Sequence, residues 1–156
     1  MYHIQKVKIW NVSKLQNVVQ ILYKCGIDMA STYDLHHWNN SRIKNWLIVI
    51  LCAHKYKIYL VYDDKTAVAT FQTRKINEAY LFQKLATLPE FKGKGIGTFC
   101  LNEIERQAEV CGCKEVLCEV YIKSEHAKNF YEHRGYSVYG ETDTLKYKEL
   151  KLKKSL

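Results

Sequence analysis

The sequence predicts a single α/β domain in which helices alternate with strands of a sheet. Its 156 residues suit one domain, because most domains contain about 100 to 200 residues. Hydrophobic residues make up 47% of the chain, which is enough for a core and excludes a disordered chain. Segments with strand character and segments with helical spacing follow one another in the order β α α β β β α β α β β.

The predicted strands are rich in β-branched and aromatic residues. In residue numbers they are 2–10, 57–62, 66–73, 79–88, 115–121, 136–140 and 144–152. The polar turn Asp63-Asp64-Lys65 joins the second and third strands into a hairpin. Pro89 is expected to end the fourth strand, since proline cannot donate a hydrogen bond to a neighbouring strand.

The predicted helices carry apolar residues that recur at helical spacing. They are 13–26, 41–53, 95–111 and 124–134. Ser13 and Gln16 have the spacing of a capping box, so we expect the first helix to begin there. Ser41 is expected to cap the second helix. Three glycines are expected to end helices: Gly26 the first, Gly112 the third and Gly135 the fourth.

Composition limits the class of protein further. The longest apolar run, residues 46–53, is far shorter than the roughly 20 residues of a membrane-spanning helix. The first ten residues lack the pattern of a secretory signal. We therefore expect a cytoplasmic protein that does not bind a membrane and whose six cysteines are mostly buried thiols.

Two weaker patterns have ordinary structural explanations. Cys111 and Cys113 lack the second ligand pair that a zinc site needs, so we expect no metal. The net charge of +8 includes a lysine-rich stripe late in the chain, which we interpret as the solvated face of a strand at the sheet edge. Nucleic-acid binding is the alternative for this stripe, although no nucleic-acid motif supports it. The members of the stripe are Lys146, Lys148, Lys151, Lys153 and Lys154.

A glycine-rich segment, KGKGIGT at 92–98, lies between the fourth strand and the third helix. Backbone N–H groups in such a turn, together with the positive end of the helix dipole, form a site for phosphate groups. A merely flexible turn is the alternative. The segment fits neither the P-loop pattern nor the GxGxxG dinucleotide pattern.

The segment does fit (Arg/Gln)-x-x-Gly-x-Gly, with Lys92 in the first place followed by Gly95 and Gly97. Here the chain resembles the GNAT superfamily of N-acetyltransferases. KLATLPEF at 84–91 is similar to the fourth strand and following loop of that family, and SEHAKNFYEHRGY at 124–136 is similar to a later family segment. Lys92 and Ser124 depart from the usual Arg or Gln and the usual Asn.

The resemblance implies a mixed, mostly antiparallel central sheet flanked by helices. Acetyl-CoA would bind where the fourth and fifth strands of this sheet splay apart. The backbone of Leu85, Ala86 and Thr87 would hold the pantetheine arm, and the N–H of Leu85 would also polarise the thioester carbonyl. Ser124 takes the place of an Asn that holds the same arm. The residues whose backbone would bind the pyrophosphate follow Lys92 and are Gly93, Lys94, Gly95, Ile96, Gly97 and Thr98.

The resemblance also assigns the catalytic groups. Tyr131 occupies the position of the acid that protonates the departing thiolate, with a core aromatic as the alternative. CEVYIKS at 118–124 resembles a stretch of the family's ribosomal-protein N-terminal acetyltransferases, which makes Glu119 the candidate base. A lysine-paired strand carboxylate is the alternative for Glu119, and proton removal through water is the alternative for the base.

The expected reaction is direct acetyl transfer to a primary amine of a small molecule, a peptide or a protein. The region between the first two helices often lines the acceptor pocket in this family, so Tyr33, Asp34, His37 and Trp38 are candidate acceptor contacts. A packed or solvated loop is the alternative for these residues. A CoA-binding domain without catalysis remains the competing function, and both a monomer and a homodimer are compatible with the sequence.

Overall fold

A computed structural model describes residues 1–38 and 41–156 of the chain. Asn39 and Asn40, in the predicted region between the first two helices, lie outside the described residues. The strands are β1 (Tyr2–Val7), β2 (Lys57–Asp63), β3 (Thr66–Ile76), β4 (Ala79–Thr87), β5 (Glu115–Tyr121), β6 (Ser137–Asp143) and β7 (Lys148–Ser155). The helices are α1 (Val12–Tyr33), α2 (Arg42–Ala53), α3 (Ile96–Val110) and α4 (Glu125–Glu132), with a short 3-10 turn at Pro89–Phe91.

The strands form one mixed sheet, which confirms the predicted fold class. Their spatial order is β1-β2-β3-β4-β5-β7-β6. β4 and β5 are parallel, whereas the other neighbouring strands are antiparallel. The predicted order of the main helices and strands along the chain is also correct.

Helices cover both faces of the sheet. α1 and α2 pack on one face, where Ile58 and Leu60 of β2 are buried. α3 and α4 pack on the other face, where Phe71 of β3 and Val116 of β5 are buried. Neighbouring side chains of a strand point to opposite faces, so the sheet supplies apolar residues to two cores. We call these two faces the α1/α2 face and the α3/α4 face.

Both predicted ends of the first helix are wrong. Asn11 is the N-cap, and its side-chain oxygen accepts a hydrogen bond from the N–H of Lys14 at 3.1 Å. Gly26 is buried inside α1, which continues to Tyr33. Asp34 ends the helix with a φ of 54°, and its N–H donates to the carbonyl of Met29. Packing of the apolar face of α1 overrides the low helix propensity of glycine.

The lysine-rich strand is not at the sheet edge, which corrects the interpretation made from the sequence. β7 lies between β5 and β6, and the edge strands are β1 and β6. The chain passes from β5 through α4 to the edge as β6 and then returns as β7. Leu152, at the centre of β7, is fully buried. Four of the five lysines, Lys148, Lys151, Lys153 and Lys154, therefore lie on an interior strand, and Lys146 lies before it.

Other boundaries agree with the sequence to within a few residues. Ser41 caps α2 as predicted, with its hydroxyl accepting from the N–H of Lys44 at 3.4 Å. Asp64 makes the β2–β3 turn with a φ of 51°.

The cysteines are free thiols, and Cys25, Cys100, Cys113 and Cys118 are buried. Within 1–38 and 41–156, no cluster of three or more His, Cys, Asp or Glu residues is placed to hold a metal ion. None of the helices described there is both long enough and apolar enough to span a membrane.

The two possible caps of α1 can be separated by mutation. Asn11→Ala removes an observed cap and should lower the free energy of unfolding by about 1 kcal/mol. Ser13→Ala should change it by less than about 0.5 kcal/mol, because alanine is the better residue inside a helix. Urea unfolding monitored by circular dichroism measures both values. A larger loss for Ser13→Ala than for Asn11→Ala would contradict the observed start of α1.

Candidate active site

The candidate site begins where the central pair of strands separates. β4 and β5 pair only from Ala79↔Glu115 to Leu81↔Leu117. Both strands continue beyond that pairing, β4 to Thr87 and β5 to Tyr121. The backbone groups that face each other across the widening gap therefore have no partner strand there.

A β-bulge in β4 lies at the mouth of this gap. Gln83 pairs with Gln72 of β3, and Ala86 pairs with Thr70, so Lys84 and Leu85 together face one residue of β3. Lys84 has a φ of 53°, a left-handed conformation that costs a non-glycine residue about 1 kcal/mol. A bulge bends its strand and redirects side chains, so it carries β4 away from β5.

The gap opens into a cleft of about 380 Å³ that is lined from both faces of the sheet. Phe82, Cys118 and Tyr131 line it from the α3/α4 face. From the α1/α2 face the lining comes from the C-terminal half of α1, the segment after it, and the polar ends of β4, β5 and β7. These residues are Cys25, Asp28, Met29, Tyr33, His37, Trp38, Gln83, Lys84, Glu119, Tyr121 and Glu149.

The predicted phosphate-binding turn leads from the cleft into α3. Gly93 and Gly95 have φ values of 76° and 77°, which glycine adopts without strain, and Gly95 is the N-cap of α3. Gly97 needs to be small for a different reason, since an added Cβ would lie 3.2 Å from the ring of Phe130 in α4. The motif therefore combines a free backbone turn with close packing of α3 on α4.

Lys92 and Ser124, the two departures from the family pattern, both line the cleft. The Lys92 ammonium forms an ion pair with Asp28 of α1 and lies 5.4 Å from the ring centre of Tyr33. Ser124 is the buried N-cap residue of α4, and its hydroxyl makes no capping hydrogen bond. Lys92 thus connects the glycine turn to α1, while Ser124 presents a hydroxyl beside the cleft.

Tyr131 lies on α4 with its ring buried against the aromatic rings of Phe82 and Tyr136, at centroid distances of 5.6 and 5.7 Å. Burial raises its pKa well above the usual value of about 10, and the nearby Cys118 and Cys100 add to this effect. The hydroxyl therefore stays protonated at neutral pH. A protonated hydroxyl beside the cleft has the state that a general acid requires.

Glu119 and Glu149 place two carboxylates on the α1/α2 side of the cleft. Glu119 is exposed, and its strand neighbours Cys118 and Val120 point to the opposite face. Glu149 of β7 is paired in register with Tyr121. Burial raises the pKa of Glu149, the negative charge of Glu119 raises it further, and the positive charge of Lys84 partly opposes this rise.

Aromatic rings also line the cleft. His37 stacks on Tyr121 with ring centroids 4.4 Å apart, and Tyr33 stacks on His126 at 4.1 Å. Burial lowers the pKa of His37 to about 4, with the charges of Lys84 and His126 as smaller contributors. His37 is therefore a neutral ring at physiological pH.

The structure brings most of the predicted site residues together. The cleft lining includes Leu85, Ala86, Thr87, Lys92, Gly97, Glu119, Ser124, Tyr131, Tyr33, His37 and Trp38. Gly93, Lys94, Gly95, Ile96 and Thr98 lie in or directly after the turn beside it. Asp34 is outside the lining; it ends α1 and pairs with His36 at 2.7 Å.

Sequence reasoning missed Lys84, Glu149 and His126 as site residues. Nothing in the local pattern distinguishes Lys84 or Glu149 from the solvated lysines and glutamates of other strands. His126 is exposed on α4, yet its ring stacks on Tyr33 and lines the cleft. The signal that could have drawn attention to Lys84 is its place at the start of the KLATLPEF segment.

Comparisons with known proteins agree with this geometry. The model of the acetyltransferase (GNAT) family matches residues 15–136, from the first turn of α1 to the residue before β6. The chain belongs to the GNAT family. No curated protein matches the chain in a sequence comparison.

Solved GNAT structures share the fold at low sequence identity. The ribosomal-protein-S18-alanine N-acetyltransferase of Escherichia coli superposes with a TM-score of 0.75 at 14% identity, covering 99% of this chain and 94% of that one. The PaiA N-acetyltransferase of Thermoplasma acidophilum, solved with coenzyme A, has a TM-score of 0.75 at 17% identity, covering 100% and 99%. A chimera of the spermidine N-acetyltransferase SpeG from Vibrio cholerae and hSSAT superposes with a TM-score of 0.72 at 13% identity, covering 99% of this chain and 95% of that one. This GNAT protein thus shares its overall fold with solved N-acetyltransferases.

The buried neutral His37 makes stability depend on pH. The folded state resists protonation of His37 down to about pH 4, whereas the unfolded chain takes up this proton below about pH 6.5. The histidine therefore costs stability progressively as the pH falls from 6.5 to 4. Between pH 7 and pH 4.5, the free energy of unfolding of His37→Gln should fall by about 1–2 kcal/mol less than that of the wild type, after allowance for solvent screening. Urea unfolding at the two pH values measures this difference, and equal losses would contradict the burial of His37.

Proposed function

We propose that this protein transfers the acetyl group of acetyl-CoA directly to a primary amine. The observation that carries the proposal is the gap between β4 and β5, which ends beside a glycine turn and opens to both faces of the sheet. Membership of the GNAT family supports acyl transfer as the class of reaction. A related fold solved with coenzyme A supports acetyl-CoA as the donor.

The β4 backbone is suited to hold the pantetheine arm. The N–H of Leu88 donates to the carbonyl of Val68 in β3 at 2.8 Å. Backbone groups alternate in direction along a strand, so the N–H groups of Leu85 and Thr87 point towards the gap. Ala86, paired with Thr70, would contribute contact rather than a hydrogen bond. The amide groups of pantetheine can form hydrogen bonds with these β4 backbone groups, as the backbone of a neighbouring strand would.

The turn before α3 is suited to the pyrophosphate. Backbone N–H groups of residues 93–98 and the positive end of the α3 dipole favour an anion there. The hydroxyl of Thr98 already accepts a hydrogen bond from Arg134 at 2.5 Å, so we assign the contact to the Thr98 backbone. In this arrangement Ser124 takes the position from which the usual Asn would reach the pantetheine arm.

The reaction needs a base and an acid on opposite sides of the thioester. The neutral acceptor nitrogen attacks the thioester carbon, a C–N bond forms, and the C–S bond breaks as the tetrahedral intermediate collapses. The proton of the amine passes to a base, and the departing thiolate takes a proton from an acid. The N–H of Leu85 would stabilise the negative oxygen of the intermediate.

The two faces of the cleft separate these roles. Tyr131 lies on the α3/α4 face with a protonated hydroxyl, and we assign it as the acid. Glu119 lies on the α1/α2 face among polar groups, and we assign it as the base, either directly or through a water molecule. Glu119 is more accessible than Glu149, which is half-buried, and Asp28, a third carboxylate of the lining, is paired with Lys92.

Tyr131→Phe tests the acid. The change removes the proton donor and keeps the ring, so we expect turnover to fall about 100-fold while the Kd for acetyl-CoA changes less than about threefold. Tyr136→Phe is the matched control, because Tyr136 is also buried but its hydroxyl bonds to Glu105 at 3.1 Å outside the cleft. Turnover measured by thiol release and affinity measured by calorimetry separate the two effects. Equal turnover of Tyr131→Phe and wild type would remove Tyr131 from the mechanism.

The reaction itself is tested by a thiol-release screen of acetyl-CoA against amines, amino acids and peptides. Release that depends on both the protein and one acceptor class, with the acetylated product found by mass spectrometry, supports the proposal. Saturable acetyl-CoA binding without release for any acceptor would instead indicate a non-catalytic CoA-binding domain. Absence of acetyl-CoA binding would exclude both.

A further inference from the structure

Lys84 is the unusual residue of the cleft because its backbone and its side chain are both in costly states. Its φ of 53° places a non-glycine residue in the left-handed region inside a strand. The bulge puts Gln83 and Lys84, which are neighbours in sequence, on the same α1/α2 face. Gln83 donates to Cys52 of α2 at 3.3 Å, and the Lys84 ammonium lies 5.0 Å from the ring centre of Trp38.

No carboxylate among the described residues lies within ion-pair distance of the Lys84 ammonium, although Glu149 is near enough to affect its pKa. The ammonium also forms no side-chain hydrogen bond there, and it lies over the face of Trp38. Burial lowers the pKa of Lys84, while the charges of Cys52 and Glu149 act in the opposite direction. A half-buried cation that faces a cleft without a hydrogen-bond acceptor is poised to bind an anionic group of a ligand.

The charges around Lys84 are arranged as a pair of opposite signs. Glu119 and Glu149 supply negative charge on the β5 and β7 side. Lys84 supplies positive charge on the β4 side, over the ring of Trp38. A ligand that matches this arrangement carries an ammonium or amine and a carboxylate a few atoms apart. A polyamine does not match it, because a second ammonium would approach Lys84.

We propose that Lys84 binds the carboxylate of the acetyl acceptor and so selects amines that carry a carboxylate near the reacting nitrogen. The inference rests on the proposed acetyl transfer and deepens it by naming the class of acceptor. A free α-amino acid has this chemistry, and so does a peptide whose first residue is acidic. Lys84 is a specificity-determining residue in this account, while the proton transfers remain with Tyr131 and Glu119.

The first test compares acceptors that differ only in the carboxylate. Thiol release is measured with the common L-amino acids and with their carboxamides, and with peptides that begin with Asp or Asn. A charged hydrogen bond in a partly buried site is expected to give the carboxylate form about a tenfold advantage in kcat/KM. A preference among amino acids places the carboxylate on a free amino acid, and a preference for Asp over Asn peptides places it on a peptide side chain.

The second test removes the cation. Lys84→Met keeps the length and apolar stem of the side chain, so kcat/KM for carboxylate acceptors should fall about tenfold, while carboxamides change less than about twofold. Lys153→Met is the matched control, because Lys153 is also half-buried but lies over Tyr139, outside the cleft lining. Equal use of acids and amides by the wild type would overturn the proposal, and so would an equal loss for both in Lys84→Met.

A binding measurement separates this inference from the proposed function. Calorimetric titration of the protein saturated with CoA should show the amino acid or acidic peptide binding about tenfold more tightly than its amide, with the difference lost in Lys84→Met. This difference in binding would support the carboxylate site even if no acceptor released thiol. A lack of thiol release would contradict the proposed acetyl transfer but not the carboxylate site. No difference in binding overturns the site. Intact-mass detection of an acetyl group on Lys84 after incubation with acetyl-CoA would also overturn it, because Lys84 would then be the acceptor.

Discussion

The early end of the β4–β5 pairing is the constraint on which the rest of the site depends. A parallel pair that continued past Leu81 and Leu117 would satisfy its backbone groups internally and leave no gap. Because the strands separate, β4 keeps its pairing to β3 while its other edge faces the cleft. Backbone groups buried in a sheet without partners are costly, so the gap is suited to a ligand that carries amides of its own.

The bulge at Lys84 and the close packing of α3 on α4 maintain this separation. The bulge bends β4 where the gap opens, and the added twist turns both Gln83 and Lys84 to the α1/α2 face. On the other face, Gly97 lets Phe130 approach α3, which brings Tyr131 of α4 beside the cleft. In the proposed mechanism, the acid Tyr131 and the acceptor-binding Lys84 therefore lie on different faces of one sheet.

The parts of the structure that follow local rules could be predicted from the sequence. The glycines at 93 and 95 were identifiable because their turn needs positive φ values, and Ser41 was identifiable as a cap. Gly26 misled the prediction because tertiary burial of α1 outweighs a propensity of about 1 kcal/mol. The left-handed conformation of Lys84 could not be predicted, since a bulge depends on the register with β3. The place of β7 inside the sheet depends on the crossover through α4, which no local pattern encodes.

Residue-resolved amide exchange tests the central claim most directly, because it reports on the unpaired edge of β4 itself. Exchange at Leu85 and Thr87 should slow at least about tenfold when saturating acetyl-CoA is added. The N–H of Leu88, already bonded to β3, should change much less. Unchanged exchange at Leu85 and Thr87 in the saturated complex would show that the donor does not bind in the gap between β4 and β5.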